Sequence, residues 1–124
     1  MENCVFCQID SNREIVLESE FFVAIYDIFP VSKGHLLIVS KRHCESFFEL
    51  NTSEQQDAIH QINLAKKILD EKFQPDAYNI GVNVGTSAGQ TIPHVHIHLI
   101  PRYKGDMSNP RGGVRGVIPD KQQY

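Results

Sequence analysis

No apolar run in these 124 residues approaches the roughly 20 residues that span a bilayer. The chain also does not open on the apolar stretch of a secretory signal, so a cytoplasmic protein with no membrane partner is expected. Positive charge is scarce: 12 Lys and Arg stand against 15 Asp and Glu, leaving −3 at pH 7 and a pI near 6.0. That balance argues against a protein that grips nucleic acid by its phosphates. Cysteines are few and odd in number, only Cys4, Cys7 and Cys44, which suits thiols or metal ligands better than a disulfide framework. Internal repeats and low-complexity segments are missing as well. With 41% hydrophobic residues, the chain is expected to form one compact domain over residues 1–124 with an ordinary core.

What the chain does have is a histidine-rich stretch, Gly89-Gln90-Thr91-Ile92-Pro93-His94-Val95-His96-Ile97-His98-Leu99-Ile100-Pro101-Arg102. Its centre alternates polar and apolar with period two, the pattern of a strand with one buried face. His94, His96 and His98 fall on one side, with successive rings roughly 6–7 Å apart; Val95, Ile97 and Leu99 fall on the other. Three imidazoles on one face do not make a core, because each carries two nitrogens that need partners. Such clusters bind metals or carry acid–base and nucleophilic chemistry near neutral pH. Alternate residues on an extended strand diverge, which disfavours all three rings on one metal. The donors of Gly89-Gln90-Thr91 just upstream suit an anionic substrate.

The remaining pattern predicts α+β architecture. Glu14–Glu18 and Phe21–Asp27 read as strands joined by a tight turn at Ser19-Glu20, and His35–Ser40 as a third after the Ser32-Lys33-Gly34 turn. Asn51 to Phe73 reads as one long helix, with Ala58/Ile59, Ile62, Ala65, Ile68/Leu69 and Phe73 as its apolar stripe. Thr52 or Ser53 would cap it, with Gln55 or Gln56 closing a capping box, and Pro75 would stop it. His60 lies off the stripe. Tyr78–Val84 reads as a strand ahead of the histidine stretch. Lys41 and Arg42 read as a solvated corner. Residues 108–124 form a Gly- and Pro-rich tail with no recognisable helix, whose arginines suit a phosphate path or a partner protomer. A single amphipathic helix of this kind packs on one face of an antiparallel sheet.

Cys4-Val5-Phe6-Cys7 opens a short turn and can be a redox couple, half a zinc site or two chance thiols. Asp27 ends a strand, where accepting turn N–H bonds is the commoner role, and Asn83 can equally bond its own turn.

His-Val-His-Ile-His-Leu-Ile, with Gly-Gln-Thr before it and Pro-Arg-Tyr after it, resembles the signature of the histidine-triad (HIT) family. The resemblance covers roughly residues 4–102. It implies a sheet of about five antiparallel strands crossed by one helix, and a two-fold homodimer that extends the sheet. It implies a purine nucleotide, mono- or dinucleotide, whose α-phosphate sits over the histidines. By that match His96 is the nucleophile and forms a nucleotidyl-histidine that water cleaves. His98 contacts phosphoryl oxygens, His35 stands beside the triad near the phosphate, and Gln90 and Thr91 lie near the leaving group. Asp27 holds the ribose hydroxyls and Asn83 the sugar and ester oxygen. Phe6, Ile9, Ile25 and Ile28 match positions that sandwich the base, though all four fit a core equally well. The resemblance also implies a structural zinc on Cys4, Cys7, His43 and His94, and no organic cofactor. A non-catalytic nucleotide-binding scaffold is the alternative from another class. A zinc hydrolase with its metal in the pocket is a third reading, and it leaves Gln90, Thr91 and Asp27 without work. The leaving group stays open between an amine and a nucleotide, with Pro101-Arg102-Tyr103 and Gly105-Asp106 closer to the dinucleoside polyphosphate side.

Overall fold

In a computed structural model, which describes residues 3–124, five strands form one antiparallel sheet. They are β1 (Ile15–Glu18), β2 (Phe22–Tyr26), β3 (Leu36–Ser40), β4 (Ala77–Gly81) and β5 (His96–Arg102), in the order β1-β2-β3-β5-β4. Among the described residues the single α-helix, α1, runs Thr52–Phe73. Apolar residues occupy both sides of the inner strands because both sides are covered. On one face Phe22, Ala24, Leu36, Ile38, Ile97 and Leu99 meet Ala58, Ala65 and Leu69 of α1. On the other, Ile25, Leu37 and Val39 are roofed by the N-terminal segment through Cys4 and Phe6. That segment makes one turn, with the Cys7 N–H on the Cys4 carbonyl at 3.2 Å.

Register carries the histidines into this second face. Leu37 of β3 lies opposite His98 and Val39 opposite His96. The ladder begins only at His96, so His94 lies ahead of the strand rather than on it.

The helix cap differs from the expected one. Asn51 Oδ1 accepts the Glu54 N–H at 2.8 Å, and Glu54 Oε1 accepts the Asn51 N–H at 2.9 Å. Thr52, Ser53, Gln55 and Gln56 therefore take no part in the capping box. Glu54 wins the role because its buried carboxylate is also gripped by Arg42, whose Nε and Nη2 donate at 3.0 and 2.9 Å. Arg42 is thus no idle surface cation. A third bond, from its Nη2 to the Glu49 carbonyl, fastens the segment that bears His43 to the 3₁₀ turn Phe47–Glu49 just ahead of the helix.

The tail is more ordered than its composition suggests. Short 3₁₀ turns run Gly113–Val117 and Pro119–Lys121. Gly112, at φ +88°, faces the Gln122 carbonyl so closely that a Cβ would sit 1.8 Å from its oxygen, which any other residue would disrupt. Arg115 donates to the Gln122 and Lys121 carbonyls, and both Arg111 and Arg115 lie over the Tyr124 ring. Those arginines close the tail on itself. Among the described residues no helix is long and apolar enough to cross a membrane.

Candidate active site and metal-ligand cluster

Strand β5 places His96 and His98 in a cavity of about 670 Å³ whose walls include Phe6, Asp27, Asn83 and Thr91. A volume of that size suits a small organic ligand such as a nucleotide. His96 is almost buried, with Phe6 packed on its ring at 5.0 Å between centroids. Its Nδ1 lies 2.8 Å from the His94 carbonyl oxygen. A carbonyl only accepts, so in the neutral ring the proton sits on Nδ1 and Nε2 presents a lone pair. His98 stands 5.3 Å from His96, ring to ring. Its Nδ1 is 2.9 Å from Nε2 of His35, which in turn lies 3.5 Å from Asp27 Oδ2. The Val31 N–H donates to the other His35 nitrogen, Nδ1, at 3.1 Å. Gly34 sets up this corner: it enters β3 at φ +90° against Phe73, where a Cβ would approach to 2.8 Å.

The expected site residues divide between the cavity wall and the layers behind it. Phe6, Ile28, Asp27, Asn83, Thr91, His96 and His98 reach the cavity. Ile25 is fully buried and Ile9 packs in the same cluster, so both back the wall as core. Asp27 takes the commoner of the two roles foreseen for it, its Oδ1 accepting the Phe29 N–H of its own turn at 2.9 Å, while Oδ2 faces His35. Gln90 is turned away from the cavity. Its Oε1 accepts the Gly85 N–H, and its Nε2 donates to the Glu45 carbonyl at 2.7 Å and the Ile92 carbonyl at 3.1 Å. It laces three loop segments together. Phe29, Leu37, Ile92 and Arg13 line the cavity without having been singled out. Arg13 alone offered a signal, as a cation ahead of β1, and its guanidinium is held on the Tyr26 carbonyl.

Behind His96 lies a second group. Ligating atoms of Cys4, Cys7, His43 and His94 all fall within 4.8 Å of one another, a set that could hold a metal ion. His94 is fully buried and its Nε2 donates to the Ser40 carbonyl at 2.7 Å, which leaves Nδ1 as a lone pair toward the group. That Nδ1 lies 3.1 Å from His43 Nδ1, 3.4 Å from Cys4 Sγ and 3.5 Å from Cys7 Sγ. Burial, and then the neighbouring Cys4, push the Cys7 thiol up, a penalty that a divalent cation would invert.

Comparison with known proteins agrees with these features. The HIT domain is matched over residues 8–105, most of the chain. The chain belongs to the HIT family. An uncharacterized HIT-like protein of Methanocaldococcus jannaschii is 42% identical over 106 residues, which is 83% of this chain and 81% of that one. The asymmetrical bis(5'-nucleosyl)-tetraphosphatase of Schizosaccharomyces pombe is 31% identical over 103 residues, covering 83% of this chain but 57% of that enzyme. Among solved structures, a Zn-bound histidine triad family protein from Mycobacterium smegmatis superimposes with a TM-score of 0.79 at 30% identity, covering 87% of this chain and 81% of that one. The HIT family thus includes nucleotide hydrolases, and its fold is the five-stranded sheet and helix found here.

Burial depresses His35, His94 and His98. His98 is held at about 4 against an ordinary 6.5, with His96 and His35 adding to the fall and Asp27 opposing it. His35 and His94 are lowered for the same leading reason. The unfolded His98 takes up a proton near 6.5 while the folded one resists until about 4. Its stabilising contribution is therefore complete above pH 6.5 and is lost as pH falls from there toward 4. Between neutral pH and pH 5 that loss is on the order of 2 kcal/mol. Urea unfolding of wild type and His98→Gln at both pH values checks it. The variant should lose less stability on acidification, and equal losses would refute the assignment.

Proposed function

We propose that this HIT protein cleaves a purine nucleotide at its α-phosphate through a covalent nucleotidyl-histidine on His96. The observation that carries this reading is the His96 Nδ1–H bond to the His94 carbonyl at 2.8 Å, which leaves Nε2 unprotonated beside the cavity. A neutral imidazole can attack phosphorus only if its far nitrogen keeps a proton held by an acceptor. In the first step Nε2 bonds to the α-phosphorus while the P–O bond to the leaving group breaks, and the nucleotide departs as its anion with the electron pair of that bond. Water then attacks the phosphorus and gives up a proton to solvent, the N–P bond breaks with its electron pair returning to Nε2, and the mononucleotide leaves. His98 meets the phosphoryl oxygens and Thr91 the leaving-group side. Asp27 and Asn83 bind the sugar, and Phe6 and Ile28 hold the base. Gln90 acts as a positioning residue, fixing the loop that carries Thr91.

The metal-ligand cluster is proposed to hold one structural zinc. A tetrahedral zinc set has N···N edges of roughly 3.3 Å and N···S edges of roughly 3.6 Å, which follow from its bond lengths. The N···N separation of 3.1 Å and the N···S separations of 3.1, 3.4 and 3.5 Å fit that shape. The ion would tie the N-terminal turn to His43 and His94 and would not touch substrate. We further propose the family's two-fold homodimer; sedimentation as a monomer at micromolar concentration would remove it.

The leaving group is taken to be a nucleotide, as in the tetraphosphatase relative. Assaying diadenosine polyphosphates beside adenosine phosphoramidate tests this, with faster turnover of the polyphosphate expected. Faster phosphoramidate cleavage would change the leaving group to an amine. Tight nucleotide binding without turnover of either would instead make the protein a scaffold.

A further inference from the structure

We infer that the backbone N–H of Val31, relayed through His35, fixes His98 in the tautomer that carries its proton on Nε2. A neutral imidazole has one N–H and one lone pair. The 2.9 Å contact between His35 Nε2 and His98 Nδ1 does not by itself say which ring donates. A third group decides. The Val31 amide can only donate, and it lies 3.1 Å from His35 Nδ1. That nitrogen is therefore a lone pair, so the His35 proton is on Nε2. From there it is donated to His98 Nδ1, and the His98 proton is forced to Nε2. An independent contact points the same way: Asp27 Oδ2, 3.5 Å from His35 Nε2, favours a proton on that nitrogen. Both rings are depressed by burial, so both are neutral at pH 7 and the tautomers are well defined.

The consequence is a strand that presents two unlike nitrogens to one cavity. His96 offers a lone pair on Nε2 and His98 an N–H on Nε2. A phosphoryl group entering between them meets a nucleophile on one side and a hydrogen-bond donor for its oxygens on the other. The opposite His98 tautomer would set a lone pair against those oxygens. His35 is in this sense a positioning residue for His98. The same assignment weighs against Asp27, His35 and His98 as a resident cation site, although their ligating atoms also lie within 4.8 Å of one another. The His35 nitrogen that would ligate is occupied by a proton. Only the catalytic consequence rests on the proposed reaction; the tautomer does not.

Long-range ¹H–¹⁵N correlation of histidine side chains in the ligand-free protein at pH 7 reads the tautomers directly. Wild type is expected to show His98 as Nε2–H. Val31→Pro deletes the donor and, besides changing an exposed side chain, sets its ring Cδ where the N–H met His35, so it should scramble the His98 tautomer. His35→Gln keeps an amide oxygen for Val31 and an amide N–H for His98, so it should keep the Nε2–H form. His35→Leu should lose that form together with roughly 10²-fold in kcat, the scale of one lost oxyanion donor. His35→Gln should be impaired less than His35→Leu. Nδ1–H on His98 in wild type, or a His98 tautomer unchanged in Val31→Pro or His35→Leu, would overturn the relay. If Val31→Pro does not fold, the His35 pair decides alone. Correct tautomers in a protein that turns over no nucleotide would reject the proposed reaction and leave the relay standing.

Discussion

Replacing His96 by Asn or Gly is expected to lower kcat on the order of 10³-fold or more, the scale of losing a covalent nucleophile. Nucleotide affinity should change little, because the proposed sugar contacts at Asp27 and Asn83 and the Phe6 and Ile28 walls of the cavity remain. Asp27→Ala is the contrasting case: the proposed ribose bonds would be as good before the chemical step as during it, so KM should rise more than kcat falls. A histidine intermediate also separates nucleotidyl transfer from water attack, so kinetics should be ping-pong in character. Quenching wild type with a slow adenylating substrate and mapping the modified peptide is the direct observation. Adenylate is expected on His96, whose Nδ1 is tied to the His94 carbonyl. Finding it on His98 would move the nucleophile two residues along β5, and full activity of His96→Asn would end the covalent reading.

The histidines were legible because strand alternation needs only local sequence: His96 and His98 share a face, with Ile97 and Leu99 on the other. The helix was legible for the same reason, its stripe recurring at helical spacing through Ala58, Ala65 and Leu69. What escaped depends on contacts distant in sequence. Asn51 wins the cap because Glu54, three residues on, is also bound by Arg42 from the end of β3. Gln90 resembled a substrate donor, yet the carbonyl of Glu45, 45 residues earlier, claims its amide. Ile9 and Ile25 could not be sorted between cavity and core until the N-terminal segment was seen lying over β2 and β3. The role of Val31 is least visible of all, since a backbone N–H leaves no mark in a sequence.

Metal removal is expected to have the largest effect on stability. Purified under reducing conditions, the protein should contain about one zinc per chain, and a strong chelator should lower its Tm. A metal present at a thousandfold over its Kd stabilises the folded state by about 4 kcal/mol. For a domain of this size that corresponds to a Tm shift of roughly 15 °C. Cys4→Ala and Cys7→Ala should each reproduce much of the loss, because the buried His94 and its neighbours would keep a ligand set that no longer closes a tetrahedron. Turnover of the fraction that stays folded should persist. The His94 carbonyl that orients His96 is held by the main chain as well as by any ion: the adjoining Val95 N–H bonds the Cys44 carbonyl at 2.9 Å, and the Val95 carbonyl accepts the Ser40 N–H at 3.2 Å. Metal analysis returning no zinc, with a Tm indifferent to chelator, would refute the structural ion. Activity lost on chelation at a temperature where the chain is still folded would instead give the metal a part in the chemistry, against the supporting place assigned to it here.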